Sequence, residues 1–230
     1  MAIQGRDITL KGPDGEFSAY GVMPAGATAG VVVIQEIFGV NHHIRSVTER
    51  IAAAGYAALA PDIFHAQQAG VQLGYNEQDV QTGFGLMQGL DMDAAVQDIG
   101  VCIDFLRDQT GDKVGVTGFC MGGRLTYLAA ANLSPDAVAA YYGGGIASQL
   151  DQAASISCPI LFHFGERDAH IPMNDVEKIR AAVSGLADAT VHTYDADHGF
   201  HCDERGSYDA DAAKLAWSRT LAFFEQHLGR

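Results

Sequence analysis

A cysteine, an aspartate and a histidine, each just beyond a strand-like run, carry most of the chemistry in this chain. Cys120 lies in Gly118-Phe119-Cys120-Met121-Gly122-Gly123. Lys113 to Thr117 before it reads as a buried strand, and Arg124 to Asn132 after it reads as a helix. In such a strand, sharp turn and helix, the flanking glycines let neighbouring backbone come close while the strained turn lifts the central side chain above the sheet. Read alone, the string also fits a structural cysteine, which is a small core residue. Asp168 follows the run ending at Phe164, in Gly165-Glu166-Arg167-Asp168, and His198 follows the run ending at Tyr194, in Asp195-Ala196-Asp197-His198-Gly199-Phe200. Alone, Asp168 also reads as a turn residue capping the next helix, and His198 as a surface-loop histidine. Together they give nucleophile, acid and histidine, in that order, at the ends of strands. In a parallel sheet the carboxyl ends share one edge, so residues far apart in sequence can converge there.

The chemistry of such a set is acyl transfer. A thiolate attacks carbonyl carbon, and free cysteine has a pKa of roughly 8.5, so it needs activation at neutral pH. A place at the start of a helix supplies free N–H groups and the positive end of the dipole. His198 could take the thiol proton and later activate water, with Asp168 fixing its tautomer. The acyl-thioester would then hydrolyse. Thiolates expel enolates and similar good leaving groups more readily than amines, so activated esters and enol lactones suit this centre better than peptides. Glu36 reads either as an acid at a helix start or as a partner of the thiol.

The elements that must position these residues alternate along the chain. Asp7 to Leu10 and Glu16 to Val22 flank the turn-rich Lys11-Gly12-Pro13-Asp14-Gly15 and suggest a hairpin. Strands are expected at Val31 to Gln35, Tyr56 to Ala60, Lys113 to Thr117, Ala137 to Tyr141, Pro159 to Phe164 and Thr190 to Tyr194. Helices are expected at His43 to Ala54, Asp93 to Asp108, Asn174 to Ser184 and Tyr208 to His227. Repeated strand–helix units predict an α/β fold, a mainly parallel central sheet flanked by helices on both faces. Asp62 to Leu90, rich in Gln and Gly, reads as one long loop bordering the site.

The 230 residues are 48% hydrophobic, enough for one core, and a single domain spanning residues 1–230 is expected. The 28 acidic against 14 basic side chains give a formal charge of −14, with no basic run, which argues against nucleic acid and anionic membrane as partners. The opening ten residues carry Arg6 and Asp7 and no long apolar stretch, so no leader is expected and the cytoplasm is the default compartment. Cys102, Cys120, Cys158 and Cys202 are widely spaced without CxxC pairs, as reduced thiols would be. His192, His198, His201 and Cys202 lack a compact ligand pattern, so neither a metal nor a cofactor is called for. The partner expected is a small ester or lactone, met by a monomer or weak homo-oligomer.

The chain resembles the dienelactone hydrolase (carboxymethylenebutenolidase) family. The resemblance is carried by Gln35-Glu36-Ile37-Phe38-Gly39-Val40-Asn41, by Gly55 to Asp62, by Gly118 to Gly123, by Gly165-x-x-Asp168 and by His198-Gly199-Phe200. It implies an α/β-hydrolase fold, Cys120 as nucleophile, His198 as base and Asp168 as its acid. It also implies an oxyanion hole from the backbone N–H groups of Ile37 and Met121, and Glu36 interacting with the resting thiol. Phe38, Phe84, Tyr142, Phe200 and Arg205 are the residues expected at the substrate. The family is thought to grip a substrate carboxylate with two arginines and a tyrosine. Here Val80 and Phe84 stand in the first region and Cys202 at the second arginine's place, with Arg205 nearby. A wall without a paired cation would favour neutral substrates over carboxylate-bearing ones. Two other readings remain open. One is a redox-active Cys120 with Cys202 as resolving partner; the other is a ligand-binding protein without turnover.

Overall fold

The hairpin signal gives two antiparallel strands, β1 (Arg6–Gly12) and β2 (Gly15–Val22), joined through Gly15, whose φ of 117° only glycine adopts easily. The computed structural model describes residues 5–111 and 113–229, so the reading of the first four residues lies outside it. The sheet continues with β3 (Gly30–Ile34), β4 (Ala57–Pro61), β5 (Val114–Phe119), β6 (Ala137–Tyr141), β7 (Ile160–Gly165) and β8 (Ala189–Tyr194). The helices are α1 (His42–Ala53), α2 (Glu77–Gln88), α3 (Met92–Thr110), α4 (Met121–Asn132), α5 (Met173–Val183) and α6 (Ala210–Leu228).

The eight strands pair in the order β1-β2-β4-β3-β5-β6-β7-β8, antiparallel at the first two junctions and parallel from β4 to β8. Strands β3 to β7 are buried at every position, which is why they read as continuous apolar runs rather than alternating ones. Val31, Val32, Val33 and Ile34 are wholly enclosed, and burying each such side chain contributes roughly 1.5–3 kcal/mol. On one face α1 and α6 meet, where the Arg50 guanidinium stacks 4.0 Å above the Trp217 ring. The other layer has α3 packed on α4. This is the α/β-hydrolase architecture.

Two expectations are corrected. The stretch 62–90 is not all loop, because it holds α2, whose start is fixed by the Asn76 side chain accepting the Asp79 N–H at 3.0 Å. Gly83 and Gly85 hide that helix from a propensity reading, yet a Cβ at position 83 would crowd the Ile37 carbonyl. Likewise Glu36 does not start a helix: Asn41 caps α1, and the first turn of α1 has no acid.

Candidate active site

Cys120 is the link between β5 and α4. Its φ of 57° lies in the left-handed region, shared among the described non-glycine residues only by Tyr142 at 35°. Such a residue costs about 1 kcal/mol or more and persists only where its surroundings fix it. Here the Cys120 N–H donates to the Tyr141 carbonyl at 3.1 Å, and its own carbonyl accepts from the N–H groups of Gly123 and Arg124 at 2.9 and 3.2 Å. The turn closes against β3, where a Cβ at position 122 would overlap the Ile34 and Gln35 carbonyls. Glycine there is a packing requirement, and it leaves Cys120 at the amino end of α4.

The carboxyl ends of β7 and β8 bring two more groups to this edge. Asp168 Oδ2 lies 2.7 Å from His198 Nδ1, while Oδ1 accepts the backbone N–H groups of His170 at 2.8 Å and Ile171 at 3.1 Å. Asp168 is therefore an imidazole partner that also ties the loop after β7; it does not cap the next helix, whose start at Pro172 has no side-chain cap. The nearby acids are engaged elsewhere. Asp197 accepts the His198 N–H at 2.6 Å, and Asp195 pairs with Arg167 at 2.6 Å. Burial pushes the His198 imidazole down, but the adjacent Cys120 sulfur and the Asp168 carboxylate outweigh it and raise the pKa to about 10. Burial also pushes the Asp168 carboxyl up. The His198 hydrogen bond and charge, helped by the two backbone donors, more than offset this and hold it below its ordinary value.

Above these residues lies a cavity of about 350 Å³. Cys120, Met121, His198 and His170 form one side, and Ile37 and Phe38 after β3 form another. Val80, Phe84 and Met87 of α2, with Met92 of α3, form an apolar wall. Among the described residues, neither the Ile37 nor the Met121 backbone N–H donates to a protein acceptor. Glu36 is buried behind them, with Oε1 held by Arg205 at 3.1 Å.

Of the residues expected at the substrate, Phe38, Phe84 and Arg205 line the cavity. Tyr142 and Phe200 do not: both are fully buried, Tyr142 packing 5.1 Å from the His198 ring and Phe200 5.4 Å from Tyr142. They support the histidine from beneath, where large aromatic area is most useful. The expectation of a wall without a cation is also corrected. Arg205 curls back over Gly199, where any Cβ would overlap its guanidinium, and reaches the cavity as well as Glu36. Arg124, unmarked in the sequence reading, lines the cavity too, its Nε donating to the neutral Gln149 side chain at 2.8 Å. It has no carboxylate partner among the described residues. The signal for it was there, since position 124 is one helical turn from Cys120 and shares its face. Among the described residues, no carboxylate lines the cavity.

One set of metal-ligand types lies close by. Glu36, His43 and Cys202 each offer one atom, all within 4.8 Å of one another. No helix among the described residues is long and apolar enough to cross a membrane.

Comparison with known proteins gives a consistent result. The family model of the dienelactone hydrolase family matches residues 17–228. A relative in Azospirillum brasilense, provisionally named a carboxymethylenebutenolidase, is 40% identical, with 97% of this chain and 99% of the relative aligned. The carboxymethylenebutenolidase of Pseudomonas putida is 36% identical over 94% of each chain. A solved structure from Klebsiella pneumoniae, provisionally named a dienelactone hydrolase, superposes with a TM-score of 0.86 at 31% identity, covering 98% of this chain and 100% of its own.

Proposed function

The chain belongs to the dienelactone hydrolase family, and from that premise we propose that it cleaves small esters or lactones through Cys120, His198 and Asp168. The observation that carries this reading is the His198–Asp168 hydrogen bond beneath a cavity also lined by Cys120. The Cys120 sulfur, as thiolate, adds to the acyl carbon. The oxyanion that forms is met by the Ile37 and Met121 N–H groups, each worth about 3–4 kcal/mol by analogy with measured cases. Collapse breaks the bond to the leaving oxygen, and the His198 imidazolium gives that oxygen its proton. The neutral imidazole then takes a proton from water, the hydroxide attacks the thioester, and the thiolate departs to restore the pair with imidazolium. Asp168 stays ionised throughout and holds Nδ1–H, so Nε2 faces the reaction.

The substrate class follows from the wall. Arg124 and Arg205 supply two cations to a cavity whose α2 and α3 wall is apolar, and Arg124 lacks a carboxylate partner among the described residues, so a substrate carboxylate can replace its lost hydration there. Carboxylate-bearing esters and enol lactones therefore fit at least as well as neutral ones. The test is a screen of small esters and lactones against the wild type and Cys120→Ala, followed by steady-state kinetics on a free acid and its methyl ester. Turnover that depends on Cys120, with kcat/KM for the acid at least equal to that for the ester, is the expected result. A tenfold preference for the methyl ester removes the arginines from recognition, and turnover that survives Cys120→Ala removes the mechanism.

A further inference from the structure

Beside the proposed catalytic groups lies a set of donors that the hydrolytic cycle leaves unused. Glu36 follows β3, His43 is the second residue of α1, and Cys202 lies on the loop after His198, so only folding brings them together. All three are buried, at 1%, 2% and 0% exposure. Their donor atoms approach within 4.8 Å of one another. Part of the set is engaged, with Cys202 Sγ donating to the Tyr75 hydroxyl at 3.2 Å and His43 Nδ1 lying 3.5 Å from Asp203, but two of its atoms lack partners. Glu36 spends Oε1 on Arg205, but its Oε2 makes no hydrogen bond, and neither does His43 Nε2. The Tyr142 hydroxyl is a third buried group without a partner, and the charges of Glu36 and Cys202 both act on it. Buried polar atoms are normally satisfied, so several unsatisfied ones around a common point mark a place where something polar belongs.

The donor types say what. Thiolate, imidazole and carboxylate together are ligands of zinc and its neighbours, whereas magnesium and calcium take oxygen almost alone. We propose that Glu36, His43 and Cys202 form a binding site for a zinc-class divalent cation, distinct from the Cys120–His198 pair, and that its occupancy slows hydrolysis of carboxylate-bearing substrates by drawing off the Glu36 carboxylate that holds Arg205 in place at the cavity. The charge balances: the carboxylate and the thiolate offset the two positive charges, neutral His43 gives a lone pair, and the thiol proton leaves to solvent when the metal–sulfur bond forms. A fourth position stays open for water. The inhibitory half rests on the hydrolytic reading above; the binding half does not.

Cobalt(II) titration of Cys120→Ser, which removes the competing active-site thiolate, tests the binding. One equivalent should bind and raise a thiolate-to-cobalt charge-transfer band in the near ultraviolet. The band should vanish in Cys120→Ser/Cys202→Ser, and His43→Gln in the Cys120→Ser background should weaken binding at least tenfold. Absence of the band at millimolar cobalt, or its survival without Cys202, overturns the site. Should the double variant fail to fold, unchanged affinity in the His43→Gln background does so instead. For the inhibitory half, zinc inhibition of the hydrolysis of a carboxylate-bearing ester is compared between the wild type and Cys202→Ser. A tenfold weaker inhibition in the variant supports it. Equal inhibition places the inhibitory metal on Cys120 and His198 and overturns it, whatever the cobalt result.

Discussion

The two sides of the cavity are built differently. On one side, Cys120, Asp168 and His198 stand at the ends of β5, β7 and β8. β5 and β7 are buried throughout, and Asp168 accepts three hydrogen bonds. On the other, α2 offers Val80, Phe84 and Met87 from a helix in which only Gly83 is buried, with Phe84 39% exposed. The arm leading to α2 is tied down by a few polar contacts, such as Asp62 Oδ2 accepting the Gly70 N–H at 2.7 Å and Gln67 reaching the Leu86 carbonyl at 3.1 Å. The groups proposed to hold the reacting atoms sit on the strand ends, which cannot move without unpacking the core. Groups that only shape the substrate sit on a thin cover, where local opening is cheap. The contrast separates chemistry from selectivity.

Cys120→Ala has the largest expected effect on that contrast. It should reduce ester turnover to the uncatalysed background while leaving the thermal melt close to that of the wild type. Activity within a few-fold of wild type would show that the strand-end side does not carry the chemistry. Asp168→Asn should come next, lowering kcat by about 10⁴ through the wrong imidazole tautomer, as in the serine enzymes where this was measured. Its amide oxygen keeps the two backbone donors, so circular dichroism should show an intact fold. Near-normal kcat would end the assignment of the acid to Asp168.

The third prediction concerns protonation. With its pKa raised to about 10, His198 should remain imidazolium through neutral pH. Because the folded value lies above the ordinary one of about 6.5, the resulting stabilisation is complete below that ordinary value and is lost as pH rises towards the raised one. NMR titration of the ring should show this in the wild type. In Cys120→Ser the pKa should fall, because burial then acts against a weaker opposing charge. An unchanged titration would mean that the sulfur does not carry the pair. The smallest effect belongs to the cover. Phe84→Ala should change KM a few-fold, leave kcat within about twofold, and move stability by less than about 1 kcal/mol, as expected of a half-exposed side chain. A loss in kcat as large as that of Asp168→Asn would erase the distinction between the two sides.

The sequence by itself determined the strands, because continuous apolar runs such as Val31 to Ile34 have few other places to go, and it determined the order and strand-end placement of Cys120, Asp168 and His198. The elbow was legible for the same local reason: glycines at 118 and 122 mark where backbone must approach backbone. What the local pattern could not decide was which side chains meet across the cavity. Phe200 and Tyr142 look like pocket aromatics in one dimension, yet they are buried beneath His198. Arg205, seven positions past the histidine, is turned back over Gly199 onto Glu36, and Arg124 owes its place to the first turn of α4. The Glu36, His43 and Cys202 set has no sequence signature, since its members come from two loops and a helix start. Strand and helix periods are properties of neighbouring residues, whereas a cavity wall is made by long side chains from separate elements, and only the packed fold fixes where those chains can reach.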